Sequence, residues 1–220
     1  MKIQNTYKTI REEVAIVLRN KILRGDIQQG DHIIESDIAD ELGISRGPVR
    51  EALRQLEQEG LISYSARRGC TVKTISAKDA EELYIIRAAL EVLAVEKCSC
   101  KYSEETLKKM EHLVSKMGEY AKTNDLIHIV ECDQLFHECI VLEAKMSKLH
   151  EMWCSLNSSN AIIFYALYHT KYSPNEKLPD NHSIIIDSLR SGDTYKASRD
   201  IEDNYMVVSK NLYKNEKGLE

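Results

Sequence analysis

The sequence predicts a mainly α-helical protein in two parts: a short head with one β-hairpin, then a longer all-α bundle. Three observations carry that expectation. Apolar residues recur at helical spacing through most of the chain. Three prolines, nine glycines and two phenylalanines in 220 residues leave little material for a sheet-rich fold. Two short extended runs flank Arg67-Arg68-Gly69 and read as a hairpin with a cationic tip. Hydrophobic residues at 43% and charged residues at 30% suit a folded domain rather than a disordered chain. The division falls between a head of residues 1–75 and a bundle of residues 76–220.

In the head, residues 7–24 form an amphipathic helix with Ile10, Val14, Val17, Leu18 and Ile22 on one face, stopped by Gly25. Ser36 is a candidate cap for the next helix, which turns Ile38, Ala39 and Leu42 inward. Gly43 supplies the sharp turn that joins two helices. Ser45 caps the third helix, and Pro48 sits in its first turn, where a missing N–H costs nothing. Along it Val49, Ala52, Leu53 and Leu56 form an apolar stripe, with Arg46, Arg50 and Arg54 together beside it. The helix ends at Glu59-Gly60, and the hairpin follows. Three helices with a glycine turn and a hairpin make a winged helix-turn-helix.

From Ser76 onward the pattern is helical, with helices expected near 77–99, 103–122, 124–144, 146–170, 180–191 and 193–213. Ser76, Ser103 and Asp193 are the start signals, and Ser173-Pro174-Asn175 breaks the chain after the fourth of these helices.

The net charge of −5 hides an asymmetry. Residues 1–75 hold 12 Lys+Arg against 11 Asp+Glu, while the remainder holds 18 against 24. Local basic groups, not the total, decide whether a duplex is bound. No apolar run reaches bilayer length and Met1–Ile10 lacks a signal peptide's core, so a cytoplasmic protein is expected, with six reduced cysteines and no disulfides.

Arginines at the start of a helix in the major groove reach phosphates or fork onto guanine. Gly47 removes a side chain at closest approach, Ser45 and the helix amides favour a phosphate, and Arg68 and Gly69 suit the neighbouring minor groove. The run Gly43-Ile44-Ser45-Arg46-Gly47-Pro48-Val49-Arg50-Glu51-Ala52-Leu53, with Leu56, Glu59-Gly60-Leu61 and Arg68-Gly69, resembles the GntR family of bacterial transcription regulators. The spacing from Ile22 through Gly25 to Gly30-Asp31 fits it too. The resemblance implies a homodimer on double-stranded operator DNA, with contacts at Ser45, Arg46, Gly47, Arg50, Arg68 and Gly69. A further contact position, commonly held by a larger polar residue, falls on Ser36.

In the bundle, Asp133 and His137 lie one turn apart on a face with Ile129, Phe136 and Ile140, and His182 shares a stripe with Ile185, Ile186 and Leu189. Buried polar groups must be paired or coordinated, and these mixed N and O donors suit a divalent transition metal such as zinc, nickel or manganese. Two plainer readings compete: Asp133 and His137 satisfy each other, and His182 bonds to backbone. Arg87, on the stripe of Leu83, Tyr84, Leu90 and Ala94, either holds an anion or forms a structural ion pair with Glu91 or another acidic residue. The segments Leu83–Glu91, Asp133–Ile140, His182–Asp193 and Ala197–Tyr205 resemble the FadR-like branch of the family, with its FCD-type ligand-binding domain. That resemblance implies a metal on Asp133, His137 and His182 and a carboxylate-bearing effector at Arg87. The family's fourth ligand is a histidine; Asn204 stands at that position and offers a weaker carbonyl oxygen.

The expected function is a DNA-binding transcription regulator, a repressor by family habit, controlled by a small organic acid. The alternatives are a metal-dependent enzyme built on Asp133, His137 and His182, and a regulator whose bundle only dimerises. No general base or oxyanion device accompanies the three donors, and an enzyme leaves the head unexplained.

Overall fold

The computed structural model describes residues 9–65, 69–157, 159–160, 163 and 178–217, with side chains described as far as residue 207. The chain divides into two compact units, Met1–Thr74 and Ile75–Glu220.

In the first unit, helix α1 (Ile10–Arg24) starts at a capping box, in which Thr9 accepts from the Glu12 amide and Glu12 reaches back to the Thr9 amide. That box sets the start of the described helix at Ile10, later than the periodicity suggests. Its buried face is Val14, Ala15, Leu18, Ile22 and Leu23, whereas Ile10 and Val17 are exposed. Strand β1 (His32–Ile33) precedes α2 (Glu35–Leu42) and α3 (Arg46–Gln58). The cap position of helix α2 is Ile34, two residues before the expected Ser36, and it makes no side-chain bond; the Ser36 hydroxyl instead bonds Asp37 at 3.2 Å.

Strands β2 (Ile62–Ser65) and β3 (Gly69–Val72) form the wing, and β1 adds to it, giving an antiparallel sheet in the order β1-β3-β2. Ile33 pairs with Cys70, and Tyr64 with Cys70 from the other side. The sheet is therefore one strand larger than the expected hairpin. Leu18, Val49, Ala52, Leu56, Leu61, Ile62 and Val72 close the core of this unit, and Arg19 clamps Glu59 at the end of α3 from Nη2 at 2.7 Å.

The second unit contains α4 (Ala77–Lys97), α5 (Glu104–Thr123), α6 (Leu126–Glu143), α7 (Ser147–Cys154), α8 (Leu178–Ser191) and α9 (Thr194–Lys217). Ser76 opens α4 with a capping box to Asp79, Ser103 caps α5, and Asp193 accepts from the Lys196 amide at the start of α9. The helix expected over 146–170 is described as α7, and most of the remainder, with Ser173-Pro174-Asn175, lies outside the described residues. Helix α9 packs along α4, and α5 lies against α6 and α8, around a core that includes Tyr84, Met110, Met117, Ile129, Phe136, Ile185 and Ile201. All six cysteines are free. Among the described residues no helix is long and apolar enough to cross a membrane.

Gly43 has φ +66°, and a Cβ added there meets no atom within 4 Å. The cost of a side chain is therefore purely that of the left-handed backbone. Gly43→Ala is expected to lower the unfolding free energy by about 1–2 kcal/mol. Gly43→Asn, whose side chain tolerates this region, is expected to lose less. Chemical denaturation checks the order; equal losses would mean that sterics, not backbone conformation, fix the turn.

Candidate DNA-reading face and buried donor network

The first turn of α3 is built differently from those of α1 and α4. Helices α1 and α4 carry acids there, Glu12 and Glu13 in one and Asp79 in the other; α3 carries none. Ser45 occupies the cap position in extended backbone, but its hydroxyl makes no capping bond, a departure from the expected role. Pro48 has no amide to satisfy. The positive end of the helix dipole is thus left with a free hydroxyl, exposed Arg46 and Gly47, and no carboxylate, which suits a phosphate.

Arg50 is exposed one turn on, and its Nε and Nη2 both donate to Glu35, at 2.9 Å for Nη2 to Oε2. The hydrogen bond and charge of Glu35 hold the guanidinium further above its usual range. Sequence reasoning did not single out Glu35. Arg54 pairs with Glu51 at 3.2 Å. Ser36 is half-buried on α2, and Gly69 opens β3 with φ +71°. Arg68 lies outside the described residues.

In the second unit, inward polar groups of five helices meet. Asp133, His137 and His182 are 6%, 1% and 1% exposed, so burial forces each to find partners. His182 Nδ1 lies 2.8 Å from the Leu178 carbonyl, which only accepts, so that nitrogen carries the proton. His137 Nδ1 lies 2.7 Å from Glu91 Oε2, an acceptor in the same sense. Both rings therefore turn Nε2 toward Asp133 Oδ1, at 3.0 Å for His182 and 3.8 Å for His137. A lone pair facing a carboxylate at this range is repulsive without a cation, a proton or a metal, between them.

The three ligand atoms lie within 4.8 Å of one another. Second acceptors on each Nδ1 are the supports that orient imidazole ligands in metal sites. The donor set fits a divalent transition metal. Both plainer pairings also occur in part: His182 Nδ1 meets backbone, Asp133 faces His137 Nε2 at 3.8 Å, and His182 Nε2 in addition hydrogen-bonds with Asp133 at 3.0 Å. Burial pushes the Asp133 carboxyl up, but His182, His137 and Arg87 outweigh it and hold it below the ordinary carboxylate range. Burial pulls His137 down, and Glu91 and Asp133 outweigh it to leave the imidazole raised. Asn204 is half-buried on α9 and lines a 150 Å³ groove with Asn181, Ile184, Asp200, Asp203 and Val207. Its neighbour Tyr205 is the residue that enters the network.

Glu91 is fully buried and takes three donors: His137 on one oxygen, and on the other Trp153 Nε1 at 2.9 Å and the Tyr205 hydroxyl at 2.5 Å. Arg87 does not pair directly with it among the described residues. Arg87 Nε donates to the Tyr205 oxygen at 3.2 Å, so the hydroxyl bridges the two charges. Nη1 donates to Asn157 Oδ1 at 2.8 Å, and the guanidinium stacks 4.4 Å over the Trp153 ring. Nη2 is buried and has no partner among the described residues. Sequence reasoning missed Trp153 and Asn157 and weighed Glu91 only as a mate for Arg87. The available signal was a glutamate at i+7 from Tyr84 and i+4 from Arg87, on a stripe that is otherwise apolar.

A winged helix-turn-helix head followed by a helical domain defines the architecture of a DNA-binding transcription regulator. The model of bacterial regulatory proteins of the gntR family matches residues 10–72, and the FCD domain model matches residues 82–203. The chain belongs to the GntR family, in its FadR-like branch with an FCD domain; it is a transcription regulator and not an enzyme. It is 28% identical to the gluconate operon transcriptional repressor of Bacillus licheniformis, over 87% of this chain and 80% of that one. It is 36% identical to the uncharacterized HTH-type transcriptional regulator YdhC of Bacillus subtilis (strain 168), a match that spans 56% of each chain, little more than half of that relative. The structure of E. coli McbR/YncC superposes with a TM-score of 0.77 at 22% identity, over 96% of this chain and 100% of that one.

Removing the Glu91 carboxylate strands a buried indole N–H, a hydroxyl and an imidazole. Glu91→Ala is expected to destabilise the protein by about 3–5 kcal/mol. Equilibrium denaturation measures it, and a loss below about 1 kcal/mol, the size of an ordinary hydrogen bond, would show that the donors find other acceptors.

Proposed function

We propose that this regulator is a repressor that binds operator DNA as a homodimer and responds to a small carboxylate held in the FCD domain. The observation that carries the effector reading is Arg87, a fully buried guanidinium whose Nη2 has no partner among the described residues. A cation kept from water in this way is a place for an anion, and a carboxylate matches the guanidinium fork. On the head, the exposed Ser45, Arg46, Gly47 and Arg50 at an acid-free helix start support DNA contact, with Gly69 and Arg68 at the wing and Ser36 as a minor contributor. Exposed Ile85 and Ile86 on α4, at 52% and 50%, offer apolar surface to a second copy, and pairing two heads supplies the half-site spacing that one short helix lacks. Relatives that include a gluconate operon transcriptional repressor and a probable D-xylose utilization operon repressor favour repression.

Asp133, His137 and His182 would hold a divalent metal such as zinc, nickel or manganese, with Asn204 the candidate for a further donor. The ion would supply a positive anchor for an effector oxygen. Effector binding then changes operator affinity through a coupling free energy, about 1–3 kcal/mol in typical cases.

Operator binding, measured with and without a panel of small carboxylic acids on DNA selected from a random pool, tests the reading. Arg46→Ala is expected to weaken binding in both conditions, and Arg87→Met, which keeps bulk but removes the donors, to erase the response to the acid. A parallel fall in unliganded operator affinity for Arg87→Met would make that residue a structural support instead. Metal analysis of unsupplemented protein is expected to give bound ion, with about one equivalent fewer in Asp133→Ala. Asn204→His, which adds an imidazole donor, is expected to tighten zinc by about tenfold or more; an unchanged affinity would remove position 204 from the ligand set.

A further inference from the structure

A second group of donors sits where α6 meets α7 and shares no residue with the Asp133 network. Glu138 of α6 places Oε1 2.7 Å from Nε2 of His150, and Cys154 places Sγ 3.3 Å from the same nitrogen. His150 and Cys154 are four residues apart on α7, so the helix repeat stacks them on one face. One imidazole nitrogen carries either a proton or a lone pair, so it serves one of these two partners and not both. The three ligand atoms, one oxygen, one nitrogen and one sulfur, lie within 4.8 Å of one another. The cysteine is free, and the His150 and Glu138 side chains are 32% and 26% exposed, open enough for an ion to enter from solvent.

We propose that Glu138, His150 and Cys154 form a binding site for a thiophilic divalent metal of the zinc class. An ion there takes the His150 Nε2 lone pair, a Glu138 oxygen and the Cys154 thiolate, releases the thiol proton to solvent and leaves its fourth tetrahedral position to water. A sulfur ligand favours zinc over manganese, magnesium or calcium. The consequence lies in what else α7 carries. Trp153, next to Cys154, donates to Glu91 and lies under the Arg87 guanidinium. An ion bridging α6 and α7 therefore restrains the wall against which Arg87 is stacked, giving the sensing domain a second, chemically distinct input.

Cobalt(II) titration of the full-length reduced protein tests this, because a thiolate ligand adds a sulfur-to-cobalt charge-transfer absorption in the near ultraviolet. The Asp133, His137 and His182 set contains no sulfur and is silent in that band, so failure of the metal reading there leaves this test intact. The expected result is a saturable charge-transfer band that disappears in Cys154→Ser. In His150→Gln, which keeps the thiol, the cobalt affinity read from the band falls about tenfold or more. Far-ultraviolet circular dichroism establishes that both variants are folded. A saturated wild-type protein without the band, a band that survives Cys154→Ser, or an unchanged affinity in His150→Gln overturns the assignment.

Discussion

A carboxylate cannot be left without donors in an apolar interior, and the position of Glu91 at zero exposure imposes that requirement on the whole helical domain. Desolvating it costs several kcal/mol, and each charge-assisted hydrogen bond offsets about 1.5–3 kcal/mol. Its donors come from three other helices: His137 from α6, Trp153 from α7 and Tyr205 from α9. The helices are thus fixed not only by apolar packing but by a common ionic point. Two further arrangements follow from it. The bond to His137 Nδ1 aims that ring's other nitrogen toward Asp133, and the bond from Tyr205 leaves the phenol oxygen to accept from Arg87. One glutamate thus helps to place both the donor cluster and the buried cation.

The head was legible in the sequence because its signals are local. The glycine turn, the proline in a first turn, and the i, i+3, i+4, i+7 stripe of Val49, Ala52, Leu53 and Leu56 each lie within a few residues. Strand β1 was not legible: two residues show no alternation, and what makes them a strand is pairing with Cys70 and Thr71, far along the chain. Ile34 rather than Ser36 precedes α2 for a similar reason, since the chain leaves β1 directly into the helix and residue type alone does not set the phase.

In the bundle the residues of the site were visible but their partners were not. Arg87 read as a holder of an anion, with an ion pair to Glu91 as the plainer alternative, and the structure places the Tyr205 hydroxyl, 118 residues beyond Arg87, between the two. Trp153 and Asn157 gave no pattern of their own, because an indole on a short helix looks like ordinary core. The inward faces of Asp133, His137 and His182 could be read from periodicity. The orientation of each ring could not, because it depends on Leu178 and Glu91, acceptors from other turns and other helices.

The uncapped start of α3 has a consequence for the head itself. Helices α1 and α4 finish their first turns with their own side chains, and α3 does not. An anion seated at the Arg46 and Gly47 amides would supply the cap that the Ser45 side chain does not, and it would do so only when the helix is formed. Such a ligand binds the folded head and not the unfolded one, so mass action adds RT ln(1 + [L]/Kd) to the head's stability. On the proposed reading, α3 would be an element whose folding is finished by the DNA it contacts, and a polyanion would act on this protein as part of its secondary structure.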